Sequence, residues 1–472
     1  MKFDGGEAIA AGGFGCVFNP NIRCKNKTVK KSKNMVSKLM FNRDIETEIN
    51  EIVNIKNIFN GKIKNYQKYF ILDDIYSCKP DKLTPEDLIN FDEKCENITE
   101  KNITKKNINS NLDKFGIINI PYGGISLKKK LKEILYDDNI YKEFANINNL
   151  LIELLLKAIV PMNKIGVNHF DLKPSNILFR DNSLKIIDFG LSKIHNHKYV
   201  NDVNSSILYN IPLSSILFDN TINQYISKFY KNFEITELNK HMINKILSIQ
   251  LINLYYKLHS SGHNDNISNQ LIKKFIPFFY DNNLKYSHNG KKNLGYTEFV
   301  PSIFFINIFS EYLTSILDKY IEYGIFNKEL YFTEVYTKNA DIWGFIMCYY
   351  DFIDNVDFEN IWQNKLYNSI LAIVFKYCYS PTYAAQPIPI DMLVDELKDL
   401  NIKLGFFDTY SDKTSNSKIK HTRKSKSLSK IKHTRKSKSK STQKVIQLVG
   451  SRCPKGYKRH KLYNTLCVNI NK

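Results

Sequence analysis

Long apolar runs are missing from this chain. Its most apolar stretch, NLLIELLLKAIVPM, is interrupted by Glu153 and Lys157, whereas a membrane-spanning helix needs about 20 predominantly apolar residues, so no transmembrane span is expected. The opening residues, MKFDGGEAIAAGGFG, lack an apolar core between a basic flank and a cleavage site, which argues against a secretory leader. The eight cysteines form neither a CxxC pair nor a zinc-like spacing. Thiols in a reducing, intracellular compartment are the expectation, Cys453 and Cys467 included, with the Asn-x-Thr triplets NKT and NIT as chance products of an Asn-rich chain. Acidic residues are absent from Lys413 onward, and no arginine occurs between Arg180 and Arg423.

The charge that is present is unevenly placed. Of 68 Lys and Arg, 19 fall between Lys413 and Lys472, which leaves 49 against 47 acidic residues in 1–412. The net charge of +21 therefore belongs almost wholly to the tail, and any attraction to nucleic acid or an acidic surface is assigned to residues 413–472. Within the tail, KIKHTRKSKSLS is followed by KIKHTRKSKSKS, a Lys/Arg/Ser repeat with too few apolar groups to offset its ordering entropy. Residues 409–445 are expected to be disordered, and 446–472, containing CPKGYKRHKLYNTLCV, to form a short Cys-containing motif.

The chain, 43% hydrophobic over its 472 residues, exceeds what one core usually organises, so two lobes are expected. Residues 1–124 read as strands and one helix. AIAAGGFGCVF places a Gly cluster between strand formers, NMVSKLMF is an apolar strand with an embedded lysine, and KYFILDDIY and GIINI are further strands. RDIETEINEIVNIKNIF puts Ile45, Ile49, Ile52 and Phe59 near one helical face, with Asp44 as N-cap. Residues 79–114 read as a polar insertion. From 125 to 408 the pattern is mainly helical: Leu150, Leu154, Leu155 and Ile159 mark a buried helix ending near Pro161, amphipathic segments fill about 195–330, and a buried helix starts at DIWGF.

The stretch GVNHFDLKPSNILF carries three kinds of group that phosphoryl transfer needs. Such chemistry rests on positioning and charge neutralisation. Asp171 would accept a hydroxyl proton, Lys173 would face the transferred phosphate, and Asn176 would hold metal with Asp188 of the later DFG. A lone Asp or Asn is more often a turn or cap residue; the ordered pair of loops is what makes the pattern specific.

HFDLKPSN followed by IIDFGLSK resembles the catalytic and metal-binding loops of eukaryotic-type serine/threonine protein kinases. That resemblance implies an α+β, bilobal kinase-like fold with a small β-rich N-lobe and a larger helical C-lobe, followed by the disordered basic tail. It also implies ATP and Mg2+ as cofactors and a protein hydroxyl as substrate. On the family's glycine-rich pattern, Ala10 stands where the first glycine belongs, Gly12 is the second and Gly15 the third. Gly13 and Phe14 lie between them, and Val17 caps adenine. Among Lys30, Lys31 and Lys38, only Lys38 has apolar neighbours on its face, Val36 and Met40, so it is the phosphate lysine; Glu48 is its helix partner, with Glu51 second. IINIPYGGISL resembles the hinge, where Ile120 and Gly123 would offer backbone groups to adenine and Pro121 cannot donate. Asp341 would hold the catalytic-loop backbone or cap its helix.

Departures accompany the match. Phe170 replaces the arginine that in many relatives clamps an activation-loop phosphate, and the Ala-Pro-Glu signature is missing, with Glu329 or Glu334 as stand-ins that lack an arginine partner. These features, with GGFGCVF, VSKLM and CPKGY, resemble divergent kinases of large nucleocytoplasmic DNA viruses, which implies a host-cytoplasm or viral-factory setting, with virion packaging or nuclear entry as further options. A scaffold that keeps the fold without transfer and a small-molecule phosphotransferase are the competing readings.

Overall fold

The computed structural model describes residues 7–12, 15–25, 32, 34–194, 203, 208–259, 303–353, 356, 360–417, 445–447, 457–459 and 466–469. They fall into two compact units, 1–414 and 415–472.

The first unit opens with a five-stranded antiparallel sheet, order β1-β2-β3-β5-β4, built from β1 (Glu7–Gly12), β2 (Gly15–Asn19), β3 (Met35–Phe41), β4 (Tyr76–Cys78) and β5 (Phe115–Pro121). Period-two alternation divides its residues between two faces. Leu39 on β3 packs with Cys16, Phe18, Phe115 and Ile117 on one face, while Val17, Val36, Lys38 and Ile120 line a cleft on the other. Gly15 is required by contact rather than by φ: a Cβ there would lie 2.4 Å from the Leu39 carbonyl oxygen.

Helix α1 (Asn42–Phe59) follows β3 directly, with extended Phe41 as its N-cap. Asp44 is therefore not the cap but an acid in the first turn, where it favours the helix dipole. The α1 face is centred further along than expected: Ile52, Ile55 and Phe59 are buried. KYFILDDIY is not a strand. Asp74 takes a left-handed φ of 57°, Phe70 makes only an isolated bridge to Ile186, and β4 begins at Tyr76.

The polar insertion is an ordered cap. Its short helices Phe91–Lys94 and Glu96–Thr99 bring Phe91 and Ile98, with Leu83, Ile103 and Ile108, onto the Leu39 face of the sheet. One disulfide, Cys16–Cys95, ties it to β2, and a second, Cys24–Cys78, joins β4 to the residues after β2. The expectation of thiols throughout is thus corrected for four cysteines. They pair across 79 and 54 residues, which local spacing does not reveal. Cys348 and Cys378 remain buried thiols, and Cys453 lies outside the described residues.

In the helical part, the expected break at Pro161 does not occur. Ile140–Leu154 passes through a π turn, Leu155–Ile159, into Val160–Lys164. The widened turn accommodates a residue that cannot donate the regular helical bond. Ile140–Lys164 is long and apolar enough by composition to cross a membrane; here Leu151, Leu154, Leu155 and Ile159 are buried in the main core. The segment expected as a helical insertion contains Asn220–Tyr230, Lys240–His259 and Ile303–Tyr320. Ile390–Ser417 carries the helical region past the expected boundary at 408, since nothing after Gly405 forces a stop. In the second unit, Leu466–Asn469 lies between Val445–Gln447 and Tyr457–Arg459 in an antiparallel sheet; the repeat at 418–444 lies outside the described residues.

Candidate active site

Between the sheet and the helical part lies a cleft of about 660 Å³, lined by Val17, Val36, Lys38, Glu48, Lys173, Asn176 and Asp188 among others. Lys38, buried at the centre of β3, places Nζ 2.8 and 2.7 Å from the two carboxylate oxygens of Glu48 on α1. Glu51 does not take that place. Burial pushes the Glu48 carboxyl above the usual range, opposed by the Lys38 charge and hydrogen bond.

The loop candidates Asp171, Lys173 and Asn176 lie within hydrogen-bond reach of one another. Asp171 Oδ2 accepts from Lys173 Nζ at 2.8 Å and from Asn176 Nδ2 at 2.9 Å. Asn176 Nδ2 also donates to the Asp171 carbonyl, 3.0 Å. With its nitrogen committed there, the amide keeps its oxygen for a hard cation, and Asp188 adds a carboxylate to the same cleft. Two oxygen donors completed by phosphate and water suit Mg2+, which seldom uses a full protein cage.

Backbone strain marks both loops. Phe170 and Asp188 hold φ of 57° and 66°, the left-handed region that non-glycine residues seldom occupy. Asp341 over-determines the first: Oδ2 accepts from His169 N (2.9 Å) and Asn168 Nδ2 (3.0 Å), and Oδ1 from Phe170 N (2.9 Å). Burial raises the Asp341 carboxyl pKa, and His169 with these donors opposes the rise. Asp341 sits inside Thr337–Cys348 rather than at its start, so the capping role falls away. For Asp188, the neighbouring Phe189 packs inward against Phe59, Phe70 and His169, with ring centroids 6.1, 6.0 and 5.0 Å away. Asp188 is thereby left on the cleft wall.

At the hinge, Tyr122 N donates to the Asn34 carbonyl at 2.8 Å, and Arg180 Nη1 donates to the Tyr122 carbonyl at 2.7 Å. Ladder alternation then turns both backbone groups of Ile120 toward its partner Val36. Ile120 offers the cleft its side chain instead of the expected backbone groups, and Gly123 remains as the expected hinge residue on the cleft wall. In the Gly-rich turn, Ala10 pairs with Val17 and Gly12 with Gly15; Gly13 and Phe14 lie outside the described residues.

One residue escaped sequence reasoning. Asn210, 3% exposed, donates Nδ2 to Asp171 Oδ1 at 2.9 Å. Its segment is pinned by Trp343 Nε1, which donates to the Tyr209 carbonyl at 3.0 Å. Nothing local in SILYNIP signals this, because the contact spans 39 residues. Phe170 stacks on Tyr336, ring centroids 6.1 Å apart, and Tyr320 OH donates to the Glu334 carboxylate at 3.3 Å.

Comparison with known proteins agrees with this geometry. The family model of the protein kinase domain matches residues 3–213. Three probable serine/threonine-protein kinases of Dictyostelium discoideum are 42%, 40% and 33% identical over 71, 91 and 107 residues, which cover 13%, 19% and 20% of this chain. The matched stretches span only 11%, 8% and 8% of those relatives. Over residues 3–213 the chain is thus similar to the protein kinase domain, and the sheet, the cleft and the loop geometry described above are compatible with that likeness.

Proposed function

We propose that the chain is an active serine/threonine protein kinase that transfers the γ-phosphoryl group of Mg-ATP to a protein hydroxyl. The observation that carries this reading is the convergence on one cleft of Lys38–Glu48, Asp188, Asn176 and Lys173, with Asp171 bonded to the last two and held on both oxygens. A scaffold has no need of so complete a set. Asp171 would orient the incoming hydroxyl and take its proton, Lys173 would balance charge on the moving phosphoryl, and Lys38 would fix the preceding phosphates. Bound Mg2+, held by Asn176 and Asp188, supplies charge neutralisation between phosphates.

Phe170 gives this kinase a regulatory character. An aromatic ring stacked on Tyr336 holds the place where relatives use arginine, so activity should not depend on an activation-loop phosphate. The viral likeness of GGFGCVF, VSKLM and CPKGY, an intracellular setting and nucleic-acid binding by the tail belong to the same reading. With radiolabelled ATP and a Ser-rich protein, the native chain should transfer label, and Asp171→Ala should lower transfer about 10²–10⁴-fold. Asp188→Ala should abolish it. Equal transfer by native and Asp171→Ala chains would sink the proposal, and preferential labelling of choline or aminoglycosides would move it to small-molecule phosphotransferases.

A further inference from the structure

The two disulfides differ in a way that separates their roles. Cys16 and Cys95 are 0% and 1% exposed, sealed inside the cap core. Cys24 is 4% exposed and Cys78 only half-buried, so the second pair is the less sealed of the two and Cys78 is the side from which a reductant would approach.

That less sealed bond adjoins the nucleotide cleft through two buried side chains. Asn119 Nδ2 lies 3.6 Å from Cys24 Sγ and 3.5 Å from Cys78 Sγ, donating to both sulfurs. Its Oδ1 accepts from Ser37 Oγ at 2.6 Å, and Ser37 Oγ in turn accepts from Ile22 N at 3.0 Å. Ser37 immediately precedes Lys38 on β3, and Asn119 lies on β5 directly opposite it, just before the hinge. Asn119 and Ser37 are both 0% exposed, so a change at the sulfurs cannot be absorbed by water.

From this geometry we infer that Cys24–Cys78 is a redox-responsive latch on the β3–β5 junction, one that tightens Mg-ATP binding when closed. A dithiol reductant would open it by thiolate attack on Cys78 Sγ, giving a mixed disulfide and releasing the Cys24 thiolate. The reductant's second thiol then closes onto its own sulfur and frees Cys78. Two electrons pass from the reductant to the cysteines, and two protons end on their sulfurs. Asn119 loses its paired acceptors, two separated thiols take their place, and the Ser37–Asn119 bond relaxes with the strands that bear Lys38 and the hinge. The nucleotide arm of this inference rests on the kinase reading; the strand arm does not.

The test uses the full chain purified without reductant and titrated with dithiothreitol. Disulfide state is followed by peptide mass spectrometry, amide hydrogen exchange over residues 35–41 and 115–123, and Mg-ATP affinity by calorimetry. Cys24–Cys78 should open before Cys16–Cys95, exchange in both segments should rise at that step, and Mg-ATP should bind about fivefold more weakly, the worth of one neutral hydrogen bond. Cys24→Ser/Cys78→Ser should show the weaker affinity without reductant and no response at the lower dithiothreitol range. Free thiols at Cys24 and Cys78 in the aerobic protein, or unchanged exchange after Cys24–Cys78 opens, overturns the latch. If exchange responds but Mg-ATP binds in neither state, the latch on the strands stands and the kinase reading falls.

Discussion

Asp171 can accept a proton from an incoming hydroxyl only if its carboxylate is aimed, and three nitrogen donors share that task. Among the described residues Asn210 alone holds Oδ1, so Asn210→Ala should lower kcat about tenfold, the loss of one hydrogen bond to a charged group, with the KM for ATP unchanged. Asn210→Thr, which restores a donor, should recover part of the rate. A matched rise in KM would instead assign Asn210 to binding. Glu48 gives a pH-dependent prediction. Its folded pKa lies above the ordinary glutamate value, so between the two values the folded chain binds more protons than the unfolded one. The stability contributed by this group therefore grows as pH falls through the raised pKa, while the neutral acid no longer pairs with Lys38 in full charge. Transfer should accordingly drop on mild acidification before the fold weakens, and Glu48→Gln should show low activity and no such limb in its pH profile. The grouping of Asp171, Lys173, Asn176 and Asp188 was legible through the resemblance of the two loops, and the Lys38–Glu48 pairing through strand and helix periods. Asn210 and the sulfur pairs were not, since tertiary packing alone brings them to their partners.

Thr337–Cys348 shows how an element sets the site without touching substrate. Gly344 lies where this helix meets the catalytic loop: a Cβ would stand 2.7 Å from the Leu172 carbonyl oxygen and 3.0 Å from that of Asn210. In an exposed helix Gly→Ala stabilises by about 1 kcal/mol. Here the obstruction is backbone on both sides, and Gly344→Ala should destabilise by about 1–3 kcal/mol through overpacking. It should also lower kcat by shifting Asp171 and Asn210 together, a combination that a melting curve and steady-state kinetics would separate from simple unfolding. The same helix shows why element types were easier to read than their limits. DIWGF was read as a start, yet the π turn Phe332–Tyr336 feeds the helix, and Asp341 is drawn into its interior by three donors from the catalytic loop. Pro161 misled for a related reason, since a π turn absorbs what a regular α-helix cannot. The cap at 79–114 was legible as an interruption but not as a structure, because its few apolar residues acquire meaning only against Phe18 and Leu39.

At the scale of the whole molecule, charge and core are separated along the chain. Residues 1–414 form one compact unit, whereas all but Lys413 of the 19 basic residues of the tail lie in 415–472 with no acid among them. A chain ending at Thr414 should therefore keep its melting temperature and its affinity for Mg-ATP. Polyanion binding should behave oppositely, because contacts to phosphates release counterions and depend steeply on salt. If six or more phosphates are neutralised, affinity of the full chain for duplex DNA should fall about 10³-fold or more between roughly 50 and 200 mM salt, and the truncated chain should show little binding at either concentration. Equal retention of both chains on DNA would place the interaction on the nearly neutral first unit and remove the tail's role. Loss of Mg-ATP affinity on truncation would show that the tail acts on the catalytic unit instead.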